Sequence, residues 1–131
     1  MTAKHHISEE LKRFIRQKIQ TVLRLEVLLL LHDQQSRSFN AAEVADELGF
    51  EIETTQDQLS ALEAIGLAVQ SNNDESQYQY HPADATLGSK VDQLAVAYST
   101  QRVPVLSVIL ADASDRNRLF AEAFRIIRRN D

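Results

Sequence analysis

Cysteine and tryptophan are absent from this 131-residue chain, glycine occurs three times and proline twice. Without cysteine there is neither a disulfide framework nor a thiolate zinc site. A chain of this length, with ordinary hydrophobic content, buries enough core to need no such staple. So few helix breakers imply long helices with short interruptions. Five Phe and three Tyr leave few of the stacking platforms that single-stranded nucleic acids use. Long apolar runs are missing too. The longest, Val27 to Leu31, falls far short of the roughly 20 residues a membrane span requires. "MTAKHHISEELKRF" is too polar for a secretory signal. A soluble cytoplasmic protein with no membrane role is expected. The most informative shortage is of positive charge in the middle of the chain. Between Asn40 and Thr100 eleven carboxylates face a single cation, Lys90, a formal −10.

What is present reads mostly as helix. Ser8 can cap a helix on which Leu11, Phe14, Ile15, Ile19, Val22 and Leu23 keep helical spacing. That helix either continues or breaks and restarts into Leu25 to Leu31, where the apolar run loses its period and is expected to be buried all round. "HDQQSRS", His32 to Ser38, reads as a loop. Asn40 with Glu43 matches a capping box, Val44 and Leu48 share a face, and Gly49 suits a left-handed C-cap. "FEIE" is then the turn, and Thr55 with Gln58, or Thr54 in its place, begins the next helix. Its buried stripe is Leu59, Leu62 and Ile65, and Gly66 ends it. Leu67 and Val69 begin a strand, "SNNDESQ" is a turn-rich tip, and Tyr78 and Tyr80 form the returning strand, closed by Pro82. Asp84 or Thr86 opens a helix bearing Leu87, Val91, Leu94 and Tyr98. Another helix, Val103 to Leu110, tolerates Pro104 in its first turn and is too apolar for one stripe. Ser114 caps a last helix.

Helix, helix, turn, helix, hairpin over residues 21 to 81 resembles the winged helix-turn-helix fold of bacterial transcriptional regulators. The likeness rests on Ala45-Asp46-Glu47-Leu48-Gly49 and on Leu59-Ser60-Ala61-Leu62-Glu63-Ala64-Ile65-Gly66-Leu67, which stand in the patterns A-x-x-L-G and L-x-x-L-x-x-x-G-L. It implies a mainly α protein. Residues 1–20 are an N-terminal amphipathic helix, 21–82 a winged helix with a two-stranded wing, and 83–131 a C-terminal helical extension. The recognition-helix surface would be Thr54, Thr55, Gln56, Asp57, Ser60 and Glu63, and the wing tip Asn72, Asn73, Asp74 and Glu75. In such regulators the flanking helices often build a two-fold dimer. A homodimer is therefore expected, with Phe14, Ile15, Ile19, Leu106, Ile109, Leu110, Phe120, Phe124 and Ile127 serving either that contact or packing within the chain.

Charge argues against DNA as the target of that surface. A carboxylate a few ångströms from a phosphate costs on the order of 1 kcal/mol even in water. Several together outweigh the roughly 1–3 kcal/mol of a good base contact. A basic protein partner fits better. DNA binding remains open in two forms: hydrogen bonds to bases from Thr54, Thr55, Gln56, Gln58 and Ser60, or a basic face on the terminal helices built from Arg13, Arg16, Arg125, Arg128 and Arg129. A small-molecule sensor is a further alternative, with Tyr78, Tyr80 and Tyr98 lining an apolar pocket. No phosphate-binding glycine loop, Ser-His-Asp order or His-Glu-x-x-His pattern is present. No enzyme, cofactor or metal is expected. His5 and His6 with Glu9 or Glu10 make a poor metal cage, His32 reads as a structural helix-end histidine, and His81 ends a strand.

Overall fold

A computed structural model describes residues 7–111. Helix α1 (Glu9–Phe14) starts at Ser8, whose Oγ accepts from the Leu11 amide at 3.1 Å. It runs directly into a π-helical turn, Ile15–Ile19. There the chain breaks: Gln20 has φ 70°, and the Thr21 amide donates to Ile19 O at 2.7 Å. That three-residue reversal is a γ-turn of the rare, strained hand. Thr21 then caps α2 (Val22–Asp33), accepting from the Arg24 amide at 3.1 Å. Leu25, Val27, Leu28 and Leu31 of α2 are fully buried, so the loss of apolar period does mark a helix enclosed on several sides.

The expected loop between α2 and the next helix contains a short strand, β1 (Ser38–Phe39). With β2 (Ala68–Gln70) and β3 (Tyr78–Tyr80) it makes an antiparallel sheet in the order β1-β3-β2. The expected two-stranded element is therefore three-stranded. The cause is local: Phe39 is buried opposite Tyr78, and Gln79 Nε2 donates to Gln35 O at 2.8 Å, which holds the incoming chain along the outer edge of β3.

Helix α3 (Ala41–Leu48) has the expected capping box. Asn40 Oδ1 accepts from the Glu43 amide at 2.8 Å, and the Asn40 amide donates to Glu43 Oε1 at 2.9 Å. Asn40→Ala is expected to destabilise the protein by about 1 kcal/mol in a urea titration. Gly49 adopts the left-handed conformation at φ 76°. The Gly49 and Phe50 amides both donate to Ala45 O, at 2.8 and 3.0 Å. This reversal is finished by Phe50, so α4 (Ile52–Ala64) starts at its N-cap Glu51, earlier than the threonines suggested. Ile52 and Glu53 belong to its first turn. Thr55 is not a cap with Gln58: it is wholly buried, and its hydroxyl donates back to Glu51 O at 2.8 Å.

Asp84, not Thr86, caps α5 (Ala85–Thr100), accepting from the Leu87 amide at 2.9 Å. After Gln101 the chain bends by 113° into α6 (Arg102–Ala111). Tyr98 donates to Glu26 at 2.7 Å and is stacked by Arg102, tying the α5–α6 corner to α2. His32, in the last turn of α2, meets Asp92 of α5 at 2.9 Å and packs edge-on to Tyr80.

One contiguous core joins all of these elements. It takes in Leu11, Phe14, Ile15 and Ile19 from the N-terminal segment and Val105 and Ile109 from α6. Among the candidates for self-association or packing, Phe14, Ile15, Ile19 and Ile109 therefore pack within the chain. Among the described residues, no single helix is long and apolar enough to cross a membrane.

Candidate interaction surface

Helices α3 and α4 pack against each other, and α4 also lies on α2 and β2. Thr55, Leu59 and Leu62 face inward from α4, at spacings of four and three. That spacing turns Glu53, Asp57, Ser60 and Glu63 outward, all of them exposed. Helix α3 likewise buries Ala41, Val44 and Ala45 and exposes Glu43, Asp46 and Glu47. With Glu51 in the turn, seven exposed carboxylates crowd two consecutive helices. Glu43 is reached by Arg37 at 3.7 Å, from outside the acidic span.

Arg37 apart, the described cations closest to this face are engaged elsewhere. Lys90 sits on Glu10 at 3.3 Å. Arg24 is the cation nearest α4 in the hydrogen-bond network. Its Nε donates to Gln58 Oε1 at 2.9 Å and its Nη1 to Lys18 O at 3.0 Å and to Gln20 Oε1 at 3.3 Å. Partial burial lowers the Arg24 pKa, though not enough to discharge a guanidinium. It serves as a bolt between the γ-turn and α4.

The polar residues of α4 divide. Gln56 donates to Tyr78 Oη at 3.0 Å and to Ser60 Oγ at 3.2 Å, while Gln70 donates to the same tyrosine at 3.3 Å and to Glu75 O at 2.7 Å. A chain of side chains thus joins α4 to the base and tip of the hairpin. Gln56, one of the base-reading candidates in the sequence, is committed to that link. Thr54 is half-buried and Thr55 is removed from the surface entirely. Asp57, Ser60 and Glu63 stand on it as expected.

The hairpin tip exposes Asn72, Asn73, Asp74 and Glu75. Asp74 shapes it, accepting from the Ser76 hydroxyl at 2.7 Å and the Ser76 amide at 2.9 Å. The hydroxyl bond first, then the amide, hold the Asp74 carboxyl below its usual pKa. Asp74 therefore keeps its negative charge to lower pH than an ordinary aspartate.

The three tyrosines do not share one pocket wall. Tyr78 is in the α4–hairpin link and Tyr98 is on Glu26. Tyr80 borders a cleft of about 340 Å³ with Gln35, His81, Pro82, Gly88 and Asp92. Burial first, and then the Asp92 charge, push the Tyr80 phenol up to about 12. Among the described residues, no group of three His, Asp or Glu side chains is placed to hold a metal ion. Arg13 and Arg16 are exposed on the N-terminal segment. Arg125, Arg128, Arg129, Phe120, Phe124 and Ile127 lie outside the described residues, as do His5, His6 and Ser114. The α4–Arg24 bolt, the Tyr98–Glu26–Arg102 corner and the His32–Asp92 pair escaped sequence reasoning. Each joins residues far apart in the chain, and only the isolated charge of Glu26 within an apolar helix hinted at one of them.

Compared with protein-family models, curated proteins and solved structures, the chain matches none.

Proposed function

We propose that this protein is a non-enzymatic regulator of winged-helix type whose α3–α4 face and hairpin tip dock a basic protein segment. One observation carries the reading. The surface at which such a fold would meet a nucleic acid holds seven exposed carboxylates on α3, α4 and the turn between them, with Asp74 and Glu75 at the hairpin tip. The one cation between Asn40 and Thr100 is already paired with Glu10. A polyanion approaching this face meets repulsion, and apart from Arg37 beside Glu43 it finds no described cation placed to displace its own counterions. A Lys- or Arg-rich segment meets the reverse, and complementary fields both speed its encounter and select against wrong partners.

The test is a fluorescence-anisotropy titration with a labelled Arg- and Lys-rich helical peptide and, separately, with duplex DNA, across a salt series. The peptide is expected to bind, with affinity falling as salt rises. The double variant Asp57→Lys and Glu63→Lys is expected to weaken it at least tenfold, because both side chains are exposed and neither has a structural partner here. Duplex binding at physiological salt, retained in that double variant and lost in Arg13→Ala with Arg16→Ala, would overturn the reading in favour of a basic nucleic-acid face on the N-terminal segment.

A further inference from the structure

We infer that the cleft between α1, the π-helical turn and the start of α5 binds a small phosphomonoester with an apolar ester group. The cleft has a volume of about 250 Å³. Three cations border it, each from a different element: Arg13 from α1, Lys18 from the π-helical turn and Lys90 from α5. Arg13 and Lys18 stand in the last turns of their own segments, where a cation offsets the helix dipole. Lys90 stands in the second turn of a sixteen-residue helix, where no such role exists. Its presence on the same border is what makes the group a cluster.

The charge around the cleft does not cancel. Glu10 is the sole carboxylate on the border, and it answers Lys90 at 3.3 Å. Among the described residues no carboxylate reaches Arg13 or Lys18 within 4.0 Å. Asp84, the cap of α5, spends its side chain on the Leu87 amide at 2.9 Å. Two positive charges are thus left over at one recess of a chain whose formal charge is −5.

That surplus selects the ligand. A phosphomonoester carries about −1.5 to −2 at neutral pH and so matches it, whereas a carboxylate meets half of it. Guanidinium and ammonium groups are also strong donors to phosphate oxygens. The exposed Thr86 hydroxyl lies on the same border and adds a further donor. Phe14 and Leu87 line the remaining wall with carbon, which is where the ester group would rest. A space below the usual range of ligand pockets admits a phenyl or short alkyl group and little more. A nucleic-acid backbone offers one charge per phosphate along a convex strand, which is the wrong shape for a recess with two charges at one point. Glu10 has its own part. Its carboxylate is 77% exposed and can turn to water, handing Lys90 to the incoming phosphate. It is therefore a competitor for the ligand's place.

The site shares no residue with the proposed docking face. It is tested by a ¹H–¹⁵N NMR titration of the full chain with phenyl phosphate, inorganic phosphate and benzoate at low salt. Phenyl phosphate is expected to shift the Phe14, Lys18 and Leu87 amides, with a dissociation constant of roughly 0.1–1 mM. It should bind about fivefold tighter than inorganic phosphate, through the apolar wall, and about tenfold tighter than benzoate, through its second charge. Arg13→Gln with Lys18→Gln should weaken it at least about tenfold. Lys12→Gln with Arg16→Gln removes the same charge from residues that border a different cleft, and should leave the affinity unchanged. Glu10→Gln should tighten binding about threefold, a gain that misfolding cannot mimic. Circular dichroism checks that each variant is folded. The inference would be overturned by the absence of saturable shifts, by equal losses in the two double variants, by no gain in Glu10→Gln, or by equal affinity for phenyl and inorganic phosphate. Displacement of phenyl phosphate by duplex DNA or by phosphatidic-acid vesicles, at equal phosphate concentration, would also overturn it and assign the cleft to a nucleic-acid backbone or a lipid headgroup.

Discussion

Leu59→Ala is expected to cost about 3 kcal/mol in a urea titration, more than any change to the exposed faces of α4. Leu59 is fully buried in the middle of the α4 stripe that packs on α2 and α3. Truncation removes three carbons from contact and leaves a cavity that neighbours on separate helices cannot all close. The cost therefore combines lost transfer energy with unfilled volume. For a domain of this size the melting temperature should fall by roughly 10–15 °C. Ile52→Ala, on the same helix but 55% exposed, is expected to move stability by no more than about 0.5 kcal/mol. A similar loss in both variants would show that the described packing of α4 is wrong.

The second large effect separates two glycines. Gly49 and Gly66 both sit in the left-handed region, at φ 76° and 85°. An alanine at either position bears the conformational penalty of about 1–2 kcal/mol. Around Gly49 a Cβ would meet nothing within 4 Å, and Gly49→Ala should stop at that penalty. At Gly66 the same atom would lie 3.2 Å from Ala83 Cβ and 3.5 Å from Leu87 Cδ1. Ala83 cannot swing aside, because its amide donates to Gly66 O at 2.7 Å. Gly66→Ala is therefore expected to cost about 1 kcal/mol more than Gly49→Ala, a difference that chemical denaturation of the two variants resolves. Equal losses would mean that the chain entering α5 does not press on the end of α4.

These glycines were legible in the sequence because their roles are local. A left-handed C-cap is set by a handful of neighbouring residues, and so is the Asn40–Glu43 box. The exposed acids of α3 and α4 were legible for a related reason: helical period alone sorts Asp57 and Glu63 from Leu59 and Leu62. Other features depend on contacts the period cannot carry. β1 is two residues long and shows no alternation. It exists because Phe39 finds Tyr78, thirty-nine residues later, in the register of the sheet. Thr55 looked like a surface cap because threonine favours caps, but its hydroxyl is satisfied equally well by the carbonyl four residues back. Once buried that way it is lost to the α4 surface. Gln56 kept its predicted neighbourhood and lost its predicted freedom, since Tyr78 was invisible to any local rule.

The γ-turn at Gln20 gives the joint between the N-terminal segment and α2 an unusual mechanical character. A glutamine held at φ 70° stores backbone strain that a glycine would not, and the guanidinium of Arg24 clasps both the Lys18 carbonyl and the Gln20 side chain across the joint. The joint is thus loaded and latched at once. Leu11, Phe14, Ile15 and Ile19 on one side of it and Leu25, Val27 and Leu28 on the other lie in the same core, so the packing of both flanks holds the strained residue in place.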